Sequence, residues 1–233
     1  MSEIARATRD RIIAAAAALL TEGGREAVST RAVSAAAGVQ APTIYRIFGD
    51  KRGLLDAVAS HGFAEYLRSK TSLGHTDDPV EDLRHGWDLH VGFGIANPAL
   101  YTLIYGEPRP GIESPAARAA AEVLAKQVRH IAEAGRLRVG EERAAHMIHS
   151  AGCGTVLNLI AIPEDRRDPG LSELSREAVI AAVTTDPRQA SPADAQPVNR
   201  AVALRAVLPQ ATVLTAAERA LLAEWLDRIA ATG

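Results

Sequence analysis

Cysteine is almost missing from this chain: Cys153 stands alone, so no disulfide can form within it. A reducing cytoplasm is the expected compartment. Aromatic residues amount to only 4%, and with alanine abundant this favours closely packed helices over a β-sandwich. No apolar run approaches the roughly 20 residues that a bilayer span requires, so no membrane partner is expected. The run AAAAALL near the start is short, and the charges before it follow helical rather than targeting spacing. Also lacking are a GxSxG elbow, a P-loop, a dinucleotide fingerprint, an HExxH pair, any internal repeat and any strand pattern longer than a few residues. The acidic pairs Asp77-Asp78, Glu141-Glu142 and Glu164-Asp165 fall at expected helix starts or turns, where negative charge suits the backbone dipole. These absences argue against an enzyme.

Net charge is small, −2 over 233 residues, but it is unevenly spread. Residues 1–52 carry eight Lys and Arg against five Asp and Glu, a balance of +3, and the rest carries 18 against 23, a balance of −5. A basic end on an acidic body is the distribution expected of a nucleic-acid-reading module attached to something else.

What the chain does contain is concentrated in TRAVSAAAGVQAPTIYRIFGDK, residues 30–51. Ser29 and Thr30 suit a helix start, because a hydroxyl can accept from an orphan backbone N–H. A short helix from Arg31 to Ala37 is predicted, with Val33 and Ala36 inward. Gly38 then supplies the left-handed residue of a helix end, and Pro42 sits in the first turn of a second helix, where its missing N–H costs nothing. That second helix runs to about Phe48, with Ile44, Ile47 and Phe48 as its apolar side. Two short helices about a glycine corner read as helix-turn-helix. Thr43, Tyr45 and Arg46 can donate hydrogen bonds, Ala41 lets the helix end come close to a surface, and Lys51 follows. Such a set provides phosphate anchors and side chains able to reach base edges.

At these residues the sequence resembles the TetR family of bacterial transcriptional repressors. AGVQAPTIYRIFGDKRGLL follows that family's Ala-Gly-Val, variable pair, Thr-x-Tyr-x-x-Phe, then Lys and a Leu pair. The likeness covers about residues 8–60. It implies that Thr30, Thr43, Tyr45 and Lys51 meet phosphates, and that Arg31, Gln40, Ala41 and Arg46 lie near bases or groove walls. The sequence departs from the family at Gln40, where Ser is frequent, and at Ile47, where an aromatic or His is common. The implied fold is all-α: a three-helix helix-turn-helix DNA-binding head, residues 1–50, and a larger helical ligand-binding and dimerisation domain, residues 51–233. The implied activity is a ligand-responsive repressor that binds a palindromic double-stranded DNA operator as a homodimer.

Helical periodicity continues along the chain. A first helix is expected from about Thr8 to Glu22, ended by Gly23-Gly24, and a fourth from Lys51, capped by Asp50 and fading by Ser72. Residues 74–78 read as a polar link. A helix from Pro79 to Asn97 carries the stripe Val80, Leu83, Trp87, Val91 and Ile95. Leu100, Tyr101, Ile104 and Tyr105 mark a short helix, and Gly106 to Pro115 a loop. Further helices are expected from Ala116 to about Gly135, Glu141 to Ile162 and Ser172 to about Thr184, the last with Leu174, Ala178, Ile180, Ala181 and Val183 as its apolar residues. Residues 185–198 read as a linker. A short helix near Asn199–Leu208 precedes Thr215–Ala231, with Thr215 as cap, Glu218 at the box position and a wide apolar face of Leu221, Leu222, Trp225, Leu226 and Ile229. For the homodimer, the resemblance implies contact through the helices Glu141–Ile162 and Ser172–Thr184, with the C-terminal helix, given its broad apolar face, as substitute.

A small, largely apolar effector would need an apolar lining with a few polar groups. Trp87, His90, Phe93, Tyr101, Tyr105, His149, Cys153 and Asn158 supply that mixture, and each also suits a packed core. His146, His149 and Cys153 share one helical face, so a metal-responsive regulator is an alternative. A fourth ligand has no candidate in the pattern, and no resident metal or cofactor is expected. A second alternative is an architectural DNA-binding protein without a ligand, against which the acidic body of polar-tipped aromatics argues.

Overall fold

The computed structural model describes residues 3–72, 76–106, 111, 113–185 and 197–231, with the side chains of 65 and 69–72 excepted. Of the expected links at 74–78, 106–115 and 185–198, residues 74–75, 107–110, 112 and 186–196 therefore lie outside the described residues. Among those described there is no strand beyond an isolated antiparallel bridge of Leu137 with Thr184. The helices are α1 Glu3–Ala27, α2 Thr30–Ala37, α3 Ala41–Phe48, α4 Lys51–Ser72, α5 Pro79–Ala96, α6 Pro98–Tyr105, α7 Pro115–Glu133, α8 Glu141–Ala161, α9 Leu171–Val183, α10 Pro197–Val207 and α11 Ala216–Ala230.

The chain divides into two compact units, Met1–Ser72 with Gly92–Ala120, and Leu73–Val91 with Ala121–Gly233. In the first unit, α1 begins earlier than its periodicity suggested but breaks where expected: Gly23 and Gly24 leave helical geometry, and the segment to Ala27 is a separate turn. Its inner face, Ile12, Ile13, Ala16 and Leu20, packs with Val28, Val33, Ala37, Ile44, Leu54, Leu55 and Val58 into one core. Ala36, expected inward, is exposed; its neighbour Ala37 takes the buried position, because α2 turns its inner face one residue further on.

Close approach of α4 and α6 completes this unit. A Cβ at Gly62 would stand 2.7 Å from Leu100 Cδ2, so only glycine admits that leucine without a shift. Beyond it, Phe63 and Tyr66 of α4 join Phe93, Tyr101 and Tyr105 in an aromatic cluster: Phe63 meets Phe93 edge-on at 5.1 Å, and Tyr101 lies 4.8 Å from Tyr105. Such tilted and edge-on pairs are favoured by ring quadrupoles. Ile95, expected on the inner stripe of α5, is exposed instead; the buried stripe runs Val80, Leu83, Trp87 and Val91 and ends there.

In the second unit α8 buries Ala144, Ile148, Gly152, Val156 and Leu159 and packs against α9. Two ion pairs tie α5 to α9, Arg84 to Glu177 at 2.8 Å and Arg176 to Asp88 at 2.6 Å, and within α9 Arg176 also pairs with Glu177 at 2.8 Å. Arg136 pairs with Asp78 in the same unit. Of the apolar residues of α9, Leu174, Ala178 and Ala181 are exposed, and Val179, Ile180 and Val183 hold the buried side. α10 and α11 form a hairpin around Ala201, Leu208 and Leu226. The capping box of α11 is formed as expected, Thr215 Oγ accepting from Glu218 N–H and the Glu218 carboxylate from Thr215 N–H. Its apolar face is split: Leu226 is buried, whereas Leu221, Trp225 and Ile229 are exposed.

Candidate nucleic-acid interface

Ser29 accepts from Ala32 N–H at 3.1 Å and so starts α2. Gly38 ends it in the left-handed conformation, φ 63°, and the Val39 N–H reaches back to the Ser34 carbonyl at 3.0 Å. This helix end satisfies carbonyls that would otherwise be orphaned and aims the chain into α3. Gln40 precedes α3 with extended backbone and makes no side-chain cap, as expected from the absent hydroxyl; Pro42 lies in the first turn. Gly49 closes α3, its N–H donating to the Tyr45 carbonyl at 2.8 Å. Asp50 then caps α4 by accepting from Gly53 N–H at 2.8 Å, which places Lys51 at the first turn of a new helix.

One side of α3 is anchored by buried Ile44, with Ile47 and Phe48 partly covered. On the other side Tyr45 is 51% exposed and Arg46 is exposed beside it. An aromatic ring that solvent-open on a helix with a filled core beneath it is available to a partner surface. Arg31 and Gln40 are exposed, and Thr30, Ala41, Thr43 and Lys51 are partly covered. All eight positions lie on α2, at the turn, on α3 or at the start of α4. With free backbone N–H groups at the helix starts, this surface can hold phosphates and present Tyr45 and Arg46 to a groove.

Two residues that sequence reasoning passed over hold this arrangement from behind. Arg11 of α1 donates from Nε to the Ala37 carbonyl at 3.0 Å, across the end of α2. The Arg9 guanidinium lies over the Phe48 ring, 5.6 Å from its centroid, at the end of α3. Their signal in the sequence is only that two arginines follow one another at i and i+2 on a helix whose inner face lies nearby.

The effector candidates divide between the two units. Phe93, Tyr101 and Tyr105 belong to the aromatic cluster of the first. In the second, Trp87 is buried, donates from Nε1 to Ser172 Oγ at 3.1 Å, and lies with His90 against Gly152. His149 and Cys153 are one turn apart on α8, Sγ 3.6 Å from Nε2. Asn158 is exposed on the same helix. An open groove of about 800 Å³ in the second unit contains none of these eight; charged Arg129, Glu141, Arg143, Arg205 and Asp227 line it with Met147 and Val202. His146 borders that groove, and among the described residues no cluster of three His, Cys, Asp or Glu side chains could hold a metal ion. No described helix is long and apolar enough to cross a membrane.

Residues 12–58 match the family model of bacterial regulatory proteins, tetR family. No curated protein matches the chain by sequence. Among solved structures, it is similar to a tetR family transcription regulator from Shewanella, at 19% identity and TM-score 0.61 over 77% of this chain and 99% of that one. It is similar also to SmeT, the repressor of the Stenotrophomonas maltophilia multidrug efflux pump SmeDEF, at 23% identity and TM-score 0.61 over 79% and 94%. A third is TetR-Q116A from Acinetobacter baumannii in complex with minocycline, at 22% identity and TM-score 0.56 over 73% and 93%. At these identities the solved structures establish the fold. The helix-turn-helix head thus matches the tetR family model over residues 12–58, and the chain shares the all-helical fold of these neighbours.

Proposed function

We propose that this chain is a ligand-responsive repressor, cytoplasmic and without enzymatic activity, that holds a palindromic operator as a homodimer and releases it when a small, largely apolar molecule binds. A head of residues 1–50 reads one half-site; the body, residues 51–233, senses the effector and pairs the subunits. The observation that carries this reading is the exposed ring of Tyr45 beside Arg46, on a short helix fixed from behind by a filled core. One head offers only a few base contacts, so two in register are needed for useful affinity.

The exposed side of α8, with Met147, Ser150, Gly154 and Asn158, supports a close helix contact between subunits, as does the solvent-facing Leu174, Ala178 and Ala181 of α9. Together they suit a two-fold, four-helix contact. Release follows if the effector prefers a body conformation in which the heads are badly spaced. α4 is suited to carry that change, since Phe63 and Tyr66 on it touch the candidate effector residues Phe93 and Tyr105. Two structural neighbours, a repressor and a regulator bound to minocycline, are consistent with the same mode of action.

Binding of fluorescent duplexes, one selected from a random pool and one scrambled, tests the reading. Tyr45→Ala or Lys51→Ala weakens binding to both, whereas Arg46→Ala changes which sequence is selected, at about 1–3 kcal/mol per lost base contact. Wild-type affinity in the Tyr45→Ala and Lys51→Ala proteins would reject it.

A further inference from the structure

Exposed large apolar side chains are not spread evenly: five of the ten among the described residues, Leu204, Val213, Leu221, Trp225 and Ile229, lie within residues 197–231. Three of them recur every four residues along α11, where Leu221 is 48%, Trp225 51% and Ile229 41% exposed. That spacing forms one stripe on a helix, beside the face that packs Leu222 and Leu226 against α10. The capping box and the Arg205–Asp227 ion pair at 3.0 Å hold the hairpin, so the stripe is presented on a fixed element. Scattered exposed leucines need no explanation, but a continuous row containing a half-exposed tryptophan marks an interaction surface.

The charges beside the stripe indicate what covers it. Glu224 and Arg228 lie along the same edge, one turn apart, and neither joins an ion pair among the described residues. On two antiparallel copies of α11 related by a two-fold axis level with Trp225, Leu221 meets Ile229, the two Trp225 rings lie side by side, and Glu224 of each copy comes within side-chain reach of Arg228 of the other. An isologous contact must be self-complementary in this way. We infer that the Leu221–Trp225–Ile229 stripe of α11 is a self-association surface that takes the same stripe of a second copy of this chain, antiparallel. It is distinct from the α8–α9 contact. Three half-exposed side chains from each copy bury on the order of 600 Å² in total, well under half of the roughly 1,600 Å² of a standard interface, so the contact is weak by itself and adds to another.

Sedimentation velocity over about 0.1–100 µM, the range where weak interfaces dissociate, tests this on wild type, Trp225→Glu, Glu224→Arg, Arg228→Glu and the Glu224→Arg/Arg228→Glu double variant. Trp225→Glu is expected to lose one association step, halving the largest species. Each single charge reversal weakens that step about three- to tenfold through two symmetric surface pairs, and the double variant recovers it. Unchanged far-UV circular dichroism shows the variants are folded. Gly154→Arg tests the α8–α9 contact separately, so failure of one surface is not mistaken for failure of the other. The same assembly state in wild type and Trp225→Glu at every concentration, or a double variant as weak as the singles, would overturn the inference.

Discussion

Arg11 Nε donates to the Ala37 carbonyl at 3.0 Å, so the first helix of the head grips the last turn of the second across 26 residues of sequence. The bond sits directly behind the corner made by Gly38. Replacing Arg11 with Met keeps the stem and removes the donor. A loss of about 1 kcal/mol in stability is expected, with affinity falling on operator and scrambled duplex alike, because the angle between α2 and α3 is loosened. Thermal melting and fluorescence anisotropy on the same samples check it.

At Gly38 the φ of 63° is the difficulty and space is not, since a Cβ there would meet nothing within 4 Å. Gly38→Ala should therefore destabilise the head by about 1–2 kcal/mol, the cost of a left-handed L-residue. Gly38→Asn should cost less, because asparagine tolerates that region. Equal melting temperatures for the two variants would show that the corner is not held in this conformation.

The α4–α6 approach predicts a coupling. Gly62→Ala drives a methyl toward Leu100 Cδ2 and should cost about 1–3 kcal/mol as overpacking. In a Leu100→Ala background most of that cost should vanish, whereas independent sites would simply add. Chemical denaturation of the four proteins of the cycle measures it.

Stability in acid should depend on Glu177. Its hydrogen bonds with Arg84 hold its pKa below the ordinary glutamate range, with Arg176 adding to the effect and partial burial opposing it. The same contact raises the pKa of Arg84. A lowered carboxylate pKa means the stabilisation is fully present above the unfolded value, near pH 4, and is lost as pH falls through the lower folded value. Glu177→Gln should thus melt below wild type at pH 7, and the gap should close toward pH 3. A constant gap across that range would contradict this.

Much of the head is legible in the sequence because its elements are fixed locally. Ser29, Gly38, Pro42, Asp50 and the Gly23-Gly24 break each act within a few residues of themselves, and each is found where its chemistry places it. The capping box at Thr215 and Glu218 is legible for the same reason. Periodicity finds helices but not which apolar side a neighbour covers. Hence Ile95, on the same periodic stripe as Trp87, is exposed, Leu174 is exposed among the apolar residues of α9, and the face of α11 is split between Leu226 and Trp225. Arg11 and Arg9 could not be assigned, because their partners lie at the ends of other helices. The division of Phe93, Tyr101 and Tyr105 from Trp87, His90 and Cys153 into separate units is likewise a tertiary fact with no local signal.

The most direct test is to count chains on DNA. Native mass spectrometry of the full chain with a duplex selected from a random pool should show an even number of chains, at least two per site. The selected sequence should be a palindrome with half-sites about one helical turn apart, and cutting away one half-site should cost most of the affinity. A single chain bound per duplex, with one half-site bound as tightly as the whole, would contradict the account.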